Sequence, residues 1–127
     1  MRLADPQASA ERRSPVCGSR VTVDVILGPD GRVAELGQEV RACALGQASA
    51  ALMGEHAIGR SIGELEAARD ALTAFLAGTR DDPGDWPGLE IFAPARPHSA
   101  RHPSIRLAFE AVAEAVARAA SRDSRAA

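Results

Sequence analysis

Aromatic side chains are nearly missing from this 127-residue chain, which has one Trp, three Phe and no Tyr. Its core therefore has to be assembled from Val, Leu, Ile and Ala. Lysine is absent, so all fifteen basic residues are Arg. With the abundant Ala, that bias reads as genome composition rather than function. Acidic and basic residues are mixed along the chain and sum to a formal charge of -2. A basic stripe able to neutralise a phosphate backbone is lacking, which argues against nucleic acid as a partner. No stretch approaches the roughly 20 apolar residues of a membrane span. The opening MRLADPQASAERR carries no apolar signal core. The expectation is a soluble cytoplasmic protein. Only two cysteines, Cys17 and Cys43, are present. They are too few to staple a small secreted scaffold. As cytosolic thiols they direct attention to metal or sulfur chemistry.

What is present suits one modest domain: 46% apolar residues in 127 positions. Residues 1–14 are polar and aperiodic and read as a flexible arm. Val21, Val23, Val25 and Leu27 alternate with Thr22, Asp24 and Ile26, a strand pattern. GPDG at Gly28–Gly31 is turn chemistry. A second strand places Ala34, Leu36, Val40 and Ala42 on one face, with Gly37 marking a bulge. The cheapest connection is an antiparallel hairpin. The period then becomes helical, with Leu45, Ala48 and Leu52 on one face and Gly59 as the stop.

SIGE at Ser61–Glu64 is a capping box, and it opens a helix lined by Ile62, Leu65, Ala68, Leu72, Phe75 and Leu76. Gly78–Gly88 is loop by composition. LEIFAP is either helical or extended. The final helix starts near Ser104, buries Ile105, Ala108, Phe109, Val112 and Val116, and ends in a flexible tail, residues 119–127. The fold class is α+β, a small antiparallel sheet followed by helices on one face, with residues 15–118 as the domain.

Cys17 stands just before the first clear strand. Cys43 stands where a strand gives way to a helix, at the positive end of the helix dipole, a position that favours thiolate. A hairpin returning to its start would bring both to one end of the sheet. Two readings remain open: small buried hydrophobes, or thiolates that carry metal or sulfur.

Three ordered blocks carry a resemblance. They are Pro15-Val16-Cys17-Gly18-Ser19, Ala42-Cys43-Ala44-Leu45 with Ala48-Ser49, and Gly59-Arg60-Ser61. A fourth stretch, Arg101, Ser104, Leu107 and Ala108, matches the opening of the last helix. Over about residues 14–118 the chain resembles the U-type iron–sulfur cluster assembly scaffolds: IscU, SufU and the N-terminal domain of NifU. The long gap before the last helix is more like SufU. That family holds its cluster or zinc with three Cys and an Asp, or in some members a His. Ser19 stands at the Asp place and Ser104 at the third Cys place.

A serine hydroxyl is a poor ligand, and two thiolates leave a tetrahedral site half empty. His102 is the best candidate by position to complete it, with His98 behind. His56, thirteen residues from Cys43, lies roughly 20 Å along one helix and is excluded. Ser104, after Pro103, also reads as a helix N-cap. The metal-site set is thus Cys17, Cys43, His102 and Ser104.

The resemblance implies a scaffold that binds iron, a labile [2Fe–2S] cluster or zinc at Cys17 and Cys43. It would accept sulfur from a cysteine desulfurase and serve apo-protein acceptors, as a carrier rather than a turnover enzyme. The alternative is an interaction or regulatory module that kept the fold without a complete metal site. A Cys–His hydrolase or transferase finds no support, since neither a nucleophile elbow nor a phosphate loop is present.

Overall fold

The Val21–Leu27 alternation folds as a strand, but as the middle one of three. A computed structural model describes residues 1–15 and 18–126. Its sheet is antiparallel, in the order β1 (Ala8–Arg13), β2 (Arg20–Leu27), β3 (Val33–Arg41). Gly28 N donates to Arg32 O, the Asp30 carboxylate accepts from Arg32 N, and Gly31 takes φ +79° to close the β2–β3 turn. The irregularity in pairing falls between Ile26 and Leu27, not at Gly37.

Gly37 has a different reason. A Cβ there would lie 2.6 Å from Met1 O and 2.7 Å from Leu3 N, because the first residues cross the outer face of the sheet at this point. Residues 1–14 are therefore not a loose arm. Residues 8–13 pair with β2 along their whole length, from Ala8 opposite Val25 to Arg13 opposite Arg20. The short Ala-Ser-Ala-Glu alternation buries Ala8 and Ala10 and exposes Glu11. It was too brief and too polar to read as a strand without its partner.

Three α-helices follow: α1 (Ala44–His56), α2 (Ile62–Ala77) and α3 (His102–Ala126). The fold is α+β. The capping box at α2 forms as read, with Glu64 N donating to Ser61 Oγ and Ser61 N to the Glu64 carboxylate. That bond and Arg32 hold the Glu64 carboxyl down at about 2. The α2 face buries Leu65, Ala68, Leu72, Phe75 and Leu76, while Ile62 is only half-buried.

In α1 the deep face is Gly46, Ser49, Ala50 and Met53. Leu45, Ala48 and Leu52 are partly buried beside it. Gly46 and Ser49 make close contacts with the start of α3. LEIFAP lies in a 3-10 turn, Leu89–Ala95, and a second turn spans Ser99–Arg101.

Helix α3 is the centre of the molecule. It packs on β1 and β2, and both α1 and α2 pack on it. Ile105, Ala108, Phe109, Val112 and Val116 are fully buried. The helix begins at His102, two positions before the expected start, and runs to Ala126. The expected flexible tail from residue 119 is corrected accordingly, since Ala119 is fully buried. Beyond it, the Arg118 and Arg122 guanidiniums donate to the Ser9 and Gln7 carbonyls on the open side of β1. Trp86 anchors the Gly78–Gly88 loop, donating to Leu52 O at 3.0 Å and meeting Phe109 edge-on. Among the described residues no helix is long and apolar enough to cross a membrane.

Asp24 sits on the outer sheet face yet is fully buried. Arg2 grips both its oxygens, at 2.6 and 2.9 Å, and Ser9 Oγ and Leu3 N complete the shell. Burial pushes the Asp24 carboxyl up, but these donors outweigh it and hold the group below its ordinary value. A depressed carboxyl contributes stability above its unfolded pKa of about 3.9 and loses it as pH falls through the folded value. Arg2→Ala is expected to cost on the order of 1–2 kcal/mol at pH 7, because Arg2 is half-exposed and screened. Denaturant unfolding should show that difference shrinking at low pH, and an undiminished loss at pH 2 would refute the electrostatic account.

Candidate functional site

The register sets where the site forms. Arg13 pairs with Arg20, and Arg20 with Arg41. The β1–β2 loop and the exit of β3 therefore lie at one end of the sheet. Val16 and Cys17 lie outside the described residues. Their described loop neighbours are drawn tight: Ser14 N donates to Ser19 O, and Gly18 N to Ser14 O. Gly18 takes φ +72°, a conformation suited to glycine.

Cys43 is the N-cap residue of α1 and is exposed. Its φ of −65° and ψ of 175° are extended, so the chain turns from strand to helix at the sulfur-bearing residue. The unsatisfied N–H groups of the first turn face this end, which is the favoured place for an anion.

Ser104 is not a helix cap. It sits inside the first turn of α3, which starts at His102, and is 3% exposed. The pyrrolidine of Pro103 fits the first turn of a helix, so Pro103 lies inside α3 rather than before it. Ser104 Oγ is 3.2 Å from Ser19 Oγ, itself buried, across 85 residues of sequence. Cys43, Ala44, Leu45, Ala100, Arg101 and Ser104 together line a cleft of ≈ 360 Å³. Cys43 and Ser104 of the expected metal set, with Ser19 at the place of the family's Asp, are thus gathered where α1 begins, α3 begins and β2 begins.

His102 is only 8% exposed and does not line that cleft. Its Nε2 lies 2.9 Å from Ala95 O and 3.0 Å from Arg96 O. Both partners are acceptors, so Nε2 carries the proton and ties the 3-10 turn to the start of α3. Only Nδ1 remains for any other bond. His98 is exposed before the second turn. His56 is at the last turn of α1, beside Glu55 and away from Cys43.

Two residues shape the site without chemistry of their own. A Cβ on Gly46 would meet Ala42 Cβ at 2.6 Å and Ser104 O at 3.3 Å. Its absence lets Ala42 fold back against α1 and leaves α1 close to the start of α3. Ser49 Oγ donates to Ile105 O at 2.6 Å, one turn further along the same seam. The Gly and Ser content of α1 was the sequence signal for this close approach, but it did not name the partner. Among the described residues no three His, Cys, Asp or Glu side chains are grouped to hold a metal ion.

The sequence matches no family profile and no curated protein. Solved structures do match. A nitrogen-fixing NifU-like protein (N-terminal) from Brucella abortus is 40% identical, covers 94% of this chain and 83% of its own, and superposes with a TM-score of 0.88. The chain belongs to that family, the U-type scaffolds. A candidate iron–sulfur cluster assembly scaffold protein for the SUF system from Fervidobacterium islandicum AW-1 matches at 19% identity and a TM-score of 0.81, over 90% of this chain and 83% of its own. A hypothetical protein matches at 22% identity and 0.80, over 91% of this chain and 84% of its own. These last two share the fold.

Gly46→Ala tests the seam. In an open helix the change is stabilising by about 1 kcal/mol, but here the added methyl has nowhere to go. A net loss of about 1–3 kcal/mol in thermal or denaturant unfolding is expected. A variant as stable as the parent would mean that Ala42 and the start of α3 are not packed this closely on α1.

Proposed function

We propose that this chain is an iron–sulfur cluster assembly scaffold whose cargo is held by the thiolates of Cys43 and Cys17. The observation that supports this most is the meeting of Ser19 and Ser104 beside the Cys43 cleft. Positions far apart in sequence, each equivalent to a ligand place by resemblance, converge at one end of the sheet. In this reading a cysteine desulfurase supplies sulfur to the exposed Cys43 rim, and iron, a labile [2Fe–2S] cluster or zinc is the cargo. Apo-protein acceptors receive it, and the chain itself turns over no substrate.

The donor set does not make a closed tetrahedral site. Two hydroxyls occupy places where thiolate and carboxylate would be needed, and hydroxyls stay protonated at neutral pH. One chain therefore offers two thiolates at most. The remaining coordination positions would be filled by sulfide, by water, or by a partner's side chains. His102 stays in the proposed set through Nδ1 alone. Such a site suits cargo that is handed on rather than kept. The serine pair also favours the second reading, an interaction module of the same fold that carries no cluster.

Anaerobic purification followed by separate offers of ferrous iron with sulfide, and of zinc, distinguishes the two. The scaffold reading expects metal bound by the parent, with stoichiometry near zero in Cys17→Ser and Cys43→Ser. A parent that binds none sinks it and leaves the module. Ser104→Cys adds a third thiol at the cleft and should tighten zinc by at least about tenfold. Unchanged affinity would show that the start of α3 does not face the cargo.

A further inference from the structure

The outer face of the sheet carries a row of charge that the scaffold chemistry does not use. Arg13, Arg20 and Arg41 are directly opposite one another on neighbouring strands. Opposed side chains in such a row start about 4.5–5.5 Å apart, where like charges are destabilising. The next row holds Glu11, Thr22 and Glu39. Arg13 pairs with Glu11 at 2.9 Å and Arg41 with Glu39 at 3.3 Å. Arg20 reaches Glu11 at 3.6 Å and Glu39 at 3.9 Å. Three guanidiniums meet two carboxylates, so the row stays positive with every pair formed.

An independent feature lies in the same place. Ser14 is 2% exposed, and among the described residues its Oγ has no hydrogen-bond partner. Leaving a buried hydroxyl unpaired is energetically costly. Ser14 lines a cleft of ≈ 380 Å³ with Arg13, Pro15, Gly18, Arg20 and Arg41. An excess of guanidinium donors and an orphaned hydroxyl thus border one cleft, at the foot of the β1–β2 loop.

We propose that this cleft binds an oxyanion, a carboxylate or a phosphate, held by the Arg13–Arg20–Arg41 row with Ser14 Oγ as an additional donor. The anion would neutralise the excess charge of the row and satisfy the buried hydroxyl together. Guanidiniums suit it because their planar forks match carboxylate and phosphate oxygens. The source is either a free inorganic anion or the side-chain carboxylates of an acidic segment on a protein that docks beside the loop. Neither Cys43 nor Ser104 lines the cleft, and its test reads anion binding rather than metal, so failure of this proposal and failure of the scaffold reading are distinguishable.

The test uses the full chain, labelled with nitrogen-15. One arm titrates potassium phosphate, a second titrates a hexa-aspartate peptide, and potassium chloride at matched ionic strength is the control. Saturable shifts of the Ser14, Gly18, Arg20 and Arg41 amides are expected in at least one arm and not with chloride. A response to phosphate alone assigns the inorganic source, and one to the peptide assigns the protein source. Arg41→Gln, which changes an exposed side chain, should weaken binding by about tenfold, as loss of a charge-assisted hydrogen bond does. Ser14→Ala should weaken it several-fold, with the rest of the amide spectrum retained. No saturable shift in either arm, or affinity unchanged in Arg41→Gln, would overturn the proposal.

Discussion

Everything in this molecule is organised by the burial of α3. The helix presses Ile105, Ala108, Phe109, Val112 and Val116 against a sheet face made of Val21, Val23 and Val25, all fully excluded from water. Few aromatic rings are needed, because alanines on α3 let the backbones approach and β-branched residues on β2 fill the layer between. The other two α-helices take their positions from α3. So does the candidate site, since Ser104 is brought to Ser19 and Cys43 by the same packing that buries Ile105.

The sequence made the repeating parts legible and hid those that depend on a partner. The β2 alternation, the capping box at Ser61–Glu64 and the apolar stripe of α3 each declare themselves within a few residues, because local periodicity sets them. β1 does not. Its Ala-Ser-Ala-Glu alternation is weak, and its role appears only when β2 lies beside it and α3 lies under Ala8 and Ala10. Asp24 looked like an ordinary outward residue for the same reason, since its partner Arg2 belongs to a segment with no pattern of its own.

The site was legible as a set of positions but not as chemistry. Resemblance marked Ser19, Cys43 and Ser104, and the fold gathers them. It could not show that Ser104 is spent inside a helix turn rather than capping it, nor that His102 gives one ring nitrogen to the carbonyls of Ala95 and Arg96. Those outcomes depend on a two-residue shift in where α3 starts, which is below what composition and periodicity define. Gly46 was equally silent, because a glycine in a helix announces close contact without naming what approaches.

The two arginines near the end of α3 have a wider effect. β1 is an outermost strand, and an outermost strand offers bare carbonyls to any extended peptide that drifts past. By donating to the Ser9 and Gln7 carbonyls, Arg118 and Arg122 fill those acceptors from within the same chain. The sheet is thereby fenced on that flank. An approaching strand therefore meets carbonyls already in use at Gln7 and Ser9, which makes edge-to-edge pairing less favourable at that end of the strand.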